Sequence, residues 1–96
     1  MKKFIFLYYG YEELTQEIHE AWGKWFESIG NKMVDSGNPF GAGREITHDG
    51  TTQLPLDANS VTGYSIINAE SLDEAEEIAK GCPSITGIRV YEAMAM

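Results

Sequence analysis

The chain has 96 residues, 43% of them hydrophobic, with fifteen acidic and seven basic side chains and a formal net charge of -8. That length makes a single domain, residues 1–96, burying roughly 60–65% of its unfolded surface, and the apolar content excludes a disordered chain. The acidic balance argues against nucleic acid and anionic membranes as partners. Phosphate recognition needs clustered Lys and Arg, and only Lys2 and Lys3 are adjacent.

The opening residues, MKKFIFLYYGYEEL, pair two lysines with a short apolar run. The run stops at Tyr9, lacks a small-residue cleavage site and meets Glu12 and Glu13, so it reads as a strand and not a signal peptide. No apolar run approaches the roughly 20 residues of a membrane span. Cys82 is the only cysteine, which excludes an intrachain disulfide and suits a reducing compartment. A cytoplasmic location is the expectation.

In the segment Phe4–Tyr9, alternation sends Phe4, Phe6 and Tyr8 to one side and Ile5, Leu7 and Tyr9 to the other. Both faces are apolar, so the strand should be central and covered twice. After Gly10 the period changes. Leu14, Ile18, Trp22, Trp25, Phe26, Ile29 and Met33 recur at spacings of three and four, predicting one long helix from about Glu12. Gly37, Asn38 and Pro39 should end it, and residues 38–43 should form a loop. Arg44 to His48 and Thr51 to Leu54 read as a hairpin turning at Asp49-Gly50.

Val61 to Asn68 is a further strand, with Val61, Gly63, Ser65 and Ile67 opposite Thr62, Tyr64, Ile66 and Asn68. Ser71-Leu72-Asp73-Glu74 is a capping box opening a second helix, which Gly81 and Pro83 close. Thr86 to about Met94 is the last strand. The order strand, helix, strand, strand, helix, strand predicts an α+β, ferredoxin-like βαββαβ fold. Its four-stranded antiparallel sheet would carry two helices on one face and an extra hairpin. The other face would be bare, so a homodimer packed through that face is expected.

Few residues are placed for chemistry. His19 lies beside the apolar stripe and is a candidate base near neutral pH. Asp35, at the expected helix end, opposes the helix dipole, and that cost motivates a role in orienting a histidine or binding a ligand donor, the alternative being a turn cap. Trp22, Trp25 and Phe26 offer aromatic walls for a pocket, and Tyr8, Tyr9, Tyr64 and Tyr91 bring hydroxyls to strands, where one or two would line a cleft. Two histidines and one cysteine at these spacings make no metal signature, and no cofactor is expected.

The segments AWGKWFESIG, VDSGNPFG, VTGYSIINAESLDEAEEIAKGCP and VYEAM resemble the small bacterial YCII-related proteins, including their DGPF-type branch. The likeness spans nearly the whole chain and is strongest over residues 22–41 and 62–83. It implies a dimeric α+β barrel and, in some relatives, an enzyme with a His/Asp pair as its active site. The family histidine would fall at or beside Glu20; here His19 stands about 100° around the helix from that position. The resulting expectation is a homodimeric small-molecule-binding protein or enzyme performing proton transfer or elimination on a small organic molecule. His19 or Glu20 would be the base and Asp35 its orienter. Trp22, Asn38, Phe40 and Tyr9 would line a cleft between the first helix, the sheet and the 35–43 loop. The rival expectation is a non-catalytic interaction or regulatory module.

Overall fold

A computed structural model describes residues 1–10, 15–55, 57, 59–83 and 86–95. The elements run β1 (Lys2–Tyr9), α1 (Gln16–Ser28), a 3-10 turn (Gly30–Lys32) and β2 (Met33–Asp35). They continue with β3 (Gly43–Thr47), β4 (Gly50–Leu54), β5 (Val61–Ala69), α2 (Leu72–Lys80) and β6 (Gly87–Ala93). The sheet order is β2-β5-β1-β6, with β1 antiparallel to both β5 and β6 and β2 antiparallel to β5. This is the ferredoxin-like arrangement, with the two most apolar strands in the middle. Among the described residues, no helix is long and apolar enough to cross a membrane.

The strand alternation holds as read. Phe4 and Phe6 are fully buried and Tyr8 nearly so, together with Ser65, Ile67 and Ala69 of β5. The helices lie on this side. Trp25 stacks on Phe6 at 6.0 Å between ring centroids, and Trp22 meets Tyr8 edge-on at 4.8 Å. Ala75 and Ala79 bring α2 down close, and the Trp25 indole N–H donates to the Ile78 carbonyl at 3.1 Å, tying the helices together. Ile5, Leu7 and Tyr9, with Tyr64 and Ile66, take the opposite face, where no helix packs.

Two boundaries differ from expectation. The first helix starts at a Thr15 cap, whose side chain accepts from the Ile18 N–H, and ends at Ser28. It does not continue to Met33. The expected stripe position Leu14, with Glu12 and Glu13, lies outside the described residues. Gly30 and Asn31, poor helix formers, coincide with the tightening into a 3-10 turn. Met33–Asp35 then forms the edge strand β2, with Met33 packed on the core. The Arg44–Thr47 strand therefore does not enter the main sheet. It pairs only with β4 as a separate ribbon in which every residue but Gly43 is exposed.

The capping box is half formed. Ser71 accepts from the Glu74 N–H at 3.2 Å, but Glu74 accepts from the Glu70 N–H and not from that of Ser71. Its other oxygen holds Lys32 at 2.6 Å, joining the 3-10 turn to α2. Chiefly through that hydrogen bond, with partial burial opposing and the Glu70 N–H assisting, the Glu74 carboxyl is held below the usual carboxylate range. A depressed folded value stabilises the fold above the ordinary glutamate pKa and loses that contribution as pH falls through the folded value. Glu74→Gln should therefore melt below the wild type at pH 7. The gap should close below about pH 4, measured by thermal melts across pH.

One buried polar chain crosses the core. The Tyr8 hydroxyl donates to Ser65 Oγ at 2.8 Å, and Ser65 Oγ donates to the Ser36 carbonyl at 2.7 Å. Burial pushes the Tyr8 phenol well above its usual range, the Ser65 bond opposing and the nearby Cys82 thiol adding to the rise, so it stays a neutral donor. Ser65→Ala strips the acceptor from one group and the donor from another. It should cost about 2 kcal/mol or more, against about 1 kcal/mol for Tyr8→Phe, by chemical denaturation.

Candidate functional site

The chain leaving β2 turns sharply and then runs on beside β5. Asp35 Oδ1 accepts from the Gly37 N–H at 2.8 Å, the short-range turn that aspartate favours. Gly37 has φ +77°, and a Cβ there would run into the Tyr64 carbonyl. Glycine is thus required both by conformation and by the close approach. Beyond the turn, Pro39 bridges to Gly63, and the Phe40 N–H donates to the Thr62 carbonyl at 2.8 Å. The residue expected to stop a helix instead lets an edge strand swerve and resume.

That swerve assembles a cluster on the helix-free face. Tyr64 donates its hydroxyl to Asp35 Oδ2 at 3.3 Å. Phe40 stacks on the Tyr64 ring at 5.6 Å between centroids and 19° between planes. A carboxylate, a phenol and an aromatic slab thus stand together at the sheet edge, with Phe40 42% exposed. Asn38 lies exposed in the same turn. Tyr9 shares this face but sits two strands away, where Gly87 approaches its ring and the Arg89 guanidinium lies 5.2 Å from its centroid.

The helix candidates stand elsewhere. His19 and Glu20 are exposed on α1, and Glu20 accepts only a long bond, 3.4 Å, from Gln16. Trp22 is half-buried against Tyr8, Trp25 and Phe26. Asp35, expected as the orienter of His19, bonds in this chain to Gly37 and Tyr64, on the face turned away from α1. The cleft expected between α1 and the sheet is filled by Trp22, Trp25 and Phe26 against Phe6 and Tyr8. Tyr64 is the partner that sequence reasoning named only as one of four strand tyrosines. Its alternation opposite Ser65 was the available signal. Among the described residues, no three His, Cys, Asp or Glu side chains gather as metal ligands. A shallow groove of about 370 Å³ between α2 and β6, lined by Leu72, Glu76, Ala79, Lys80, Ile88 and Val90, lies on the helix side, apart from Asp35.

Gly37→Ala should destabilise the protein by well over 1 kcal/mol in chemical denaturation, because it combines a positive φ with a backbone clash.

No protein-family model matches the chain, and no curated protein does. Among solved structures, it is similar to 5-chloro-2-hydroxyhydroquinone dehydrochlorinase from Burkholderia phenoliruptrix AC1100, in complex with 2,5-dihydroxybenzoquinone. The TM-score is 0.62, with 17% sequence identity over 98% of this chain and 95% of that chain. At that identity the likeness establishes a shared fold over nearly the whole of both chains.

Proposed function

We propose that this protein is a homodimeric enzyme that binds a small organic molecule and performs proton transfer or elimination on it, as a divergent bacterial, cytoplasmic member of the YCII-related, DGPF-type group. The observation that carries the reading is the Asp35–Tyr64–Phe40 cluster. An elimination needs a base to take a proton and a donor to meet the charge that develops as the leaving group departs. A carboxylate bonded to a phenol supplies both at one point, and the Phe40 slab offers a flat ligand a stacking surface. A shared fold with a dehydrochlorinase solved with a quinone supports this chemistry.

The helix-free face supports the dimeric part of this reading. Ile5, Leu7, Tyr9, Tyr64 and Ile66 line it, with Tyr91 53% exposed beside them. Covering apolar area gains roughly 25 cal/mol per Å², and a two-fold contact covers two such faces at once. It would also exclude water from Asp35, which strengthens the electrostatics of the site.

A second reading is a non-catalytic interaction module. The filled space between α1 and the sheet favours it, since among the described residues that space holds packed aromatics and no unpartnered buried polar side-chain atom. Calorimetric titration with 2,5-dihydroxybenzoquinone and hydroxylated benzoates separates the two. The enzyme reading expects saturable binding, weakened about tenfold or more by Asp35→Asn and by Phe40→Ala at unchanged melting temperature. His19→Ala and Glu20→Ala should leave it intact. Loss of binding in those helix variants would move the base to α1, and absence of saturable binding in the wild type would favour the interaction module.

A further inference from the structure

The four strands of the main sheet bring few charges to the helix-free face. Of the two acids they carry, Glu92 lies opposite Phe4 and so belongs to the helix side, which leaves Asp35. Arg89 lies opposite Leu7 and so shares the helix-free face with it, at the β6 edge. It is exposed, with its guanidinium 5.2 Å from the Tyr9 ring centroid. Among the described residues, no carboxylate lies within ion-pair distance of that guanidinium. Its neighbour is a ring face, which leaves the planar N–H fork to another acceptor.

The tyrosines on either side open the middle of this face. Tyr64 pairs with Leu7, but its hydroxyl reaches outward to Asp35, which stands one row further along β5, opposite Ile66. Tyr9 pairs with Gly87, and its ring lies so close over that glycine that a Cβ there would strike it. The first phenol thus leans toward the β2 edge and the second toward the β6 edge. Leu7 is left between them as a half-buried apolar floor. Asp35 and Arg89 stand on the two edge strands, three strand spacings or about 14 Å apart across the sheet. Hydrogen bonds of about 3 Å at each end leave roughly 8 Å between them. That is the length of one aromatic ring carrying polar groups at opposite ends.

We propose that Arg89 binds the carboxylate of a hydroxylated aromatic acid, whose ring lies over Leu7 and whose hydroxyl meets the Asp35–Tyr64 pair. The inference rests on the small-molecule reading above and names its ligand class. The guanidinium fork matches a carboxylate with two parallel hydrogen bonds. Asp35 accepts from the ligand hydroxyl and repels a carboxylate, so the two ends cannot exchange. Tyr64 and Tyr9 border the ring on either side of the Leu7 floor.

Calorimetric titration with 4-hydroxybenzoate and with its neutral analogue 4-hydroxybenzamide tests this, with melting temperatures as the folding check. The wild type should bind the carboxylate at least about tenfold more tightly than the amide. Arg89→Gln should erase that preference while the amide still binds, which shows the site still formed. Asp35→Asn should weaken both ligands by a similar factor, since it acts on the hydroxyl end. Should Arg89→Gln fail to fold, the Arg89 Nε–H resonance of the wild type serves: it should shift with the carboxylate and not with the amide. Equal affinities in the wild type, a preference that survives in Arg89→Gln, or a resonance indifferent to the carboxylate would overturn the Arg89 subsite. A wild type that binds 2,5-dihydroxybenzoquinone but neither the benzoate nor the amide would overturn the ligand class and leave the proton-transfer reading in place. A wild type that binds none of the three would remove that reading itself.

Discussion

The architecture depends on the two-sided apolarity of β1. Phe4, Phe6 and Tyr8 form the floor on which Trp25, Ala75 and Ala79 pack. Ile5, Leu7 and Tyr9 point away from every helix. A strand of this composition has no orientation that leaves only polar groups in water. The intramolecular fold covers one side. On the other, an acid, a phenol and an exposed aromatic meet, because β2 and the turn after it run along its edge.

The buried polar chain from Tyr8 through Ser65 to Ser36 links these two sides. It lies on the helix face, yet its last acceptor is the carbonyl directly after Asp35. Together with the Gly37 approach to Tyr64, it fixes where the edge strand swerves and so where Asp35 stands. The aromatic core thereby sets the position of a carboxylate on the opposite surface. Core packing and site geometry are coupled through one serine.

The β3–β4 ribbon is the element least explained by a single chain. It is a two-stranded sheet with Ile46 and Leu54 exposed and almost no support from the body. Isolated hairpins are marginal in water. The molecule measures 41 × 40 Å across and 18 Å thick.

Much of this was legible in the residues. The two faces of β1 and β5, the second helix with its Ser71 cap and the Asp49-Gly50 hairpin are local consequences of periodicity and turn chemistry, and they hold, whereas the sheet's second strand lay hidden in what read as helix. The sequence also singled out Asp35 at an expected helix end and Asn38 and Phe40 in the loop beyond it, but not what they meet. Helical periodicity ran on to Met33 because an apolar side chain entering the core looks alike from a helix or an edge strand. Only strand pairing with Ile67 decided that Met33 belongs to β2. Likewise Gly37 reads equally well as a helix terminator or as a residue yielding space to a passing carbonyl. Which face Asp35 joins, and hence that its partner is Tyr64 and not His19, depends on contacts between residues 29 positions apart. Local propensity determines which way each side chain alternates; the meeting of distant segments determines what it finds there.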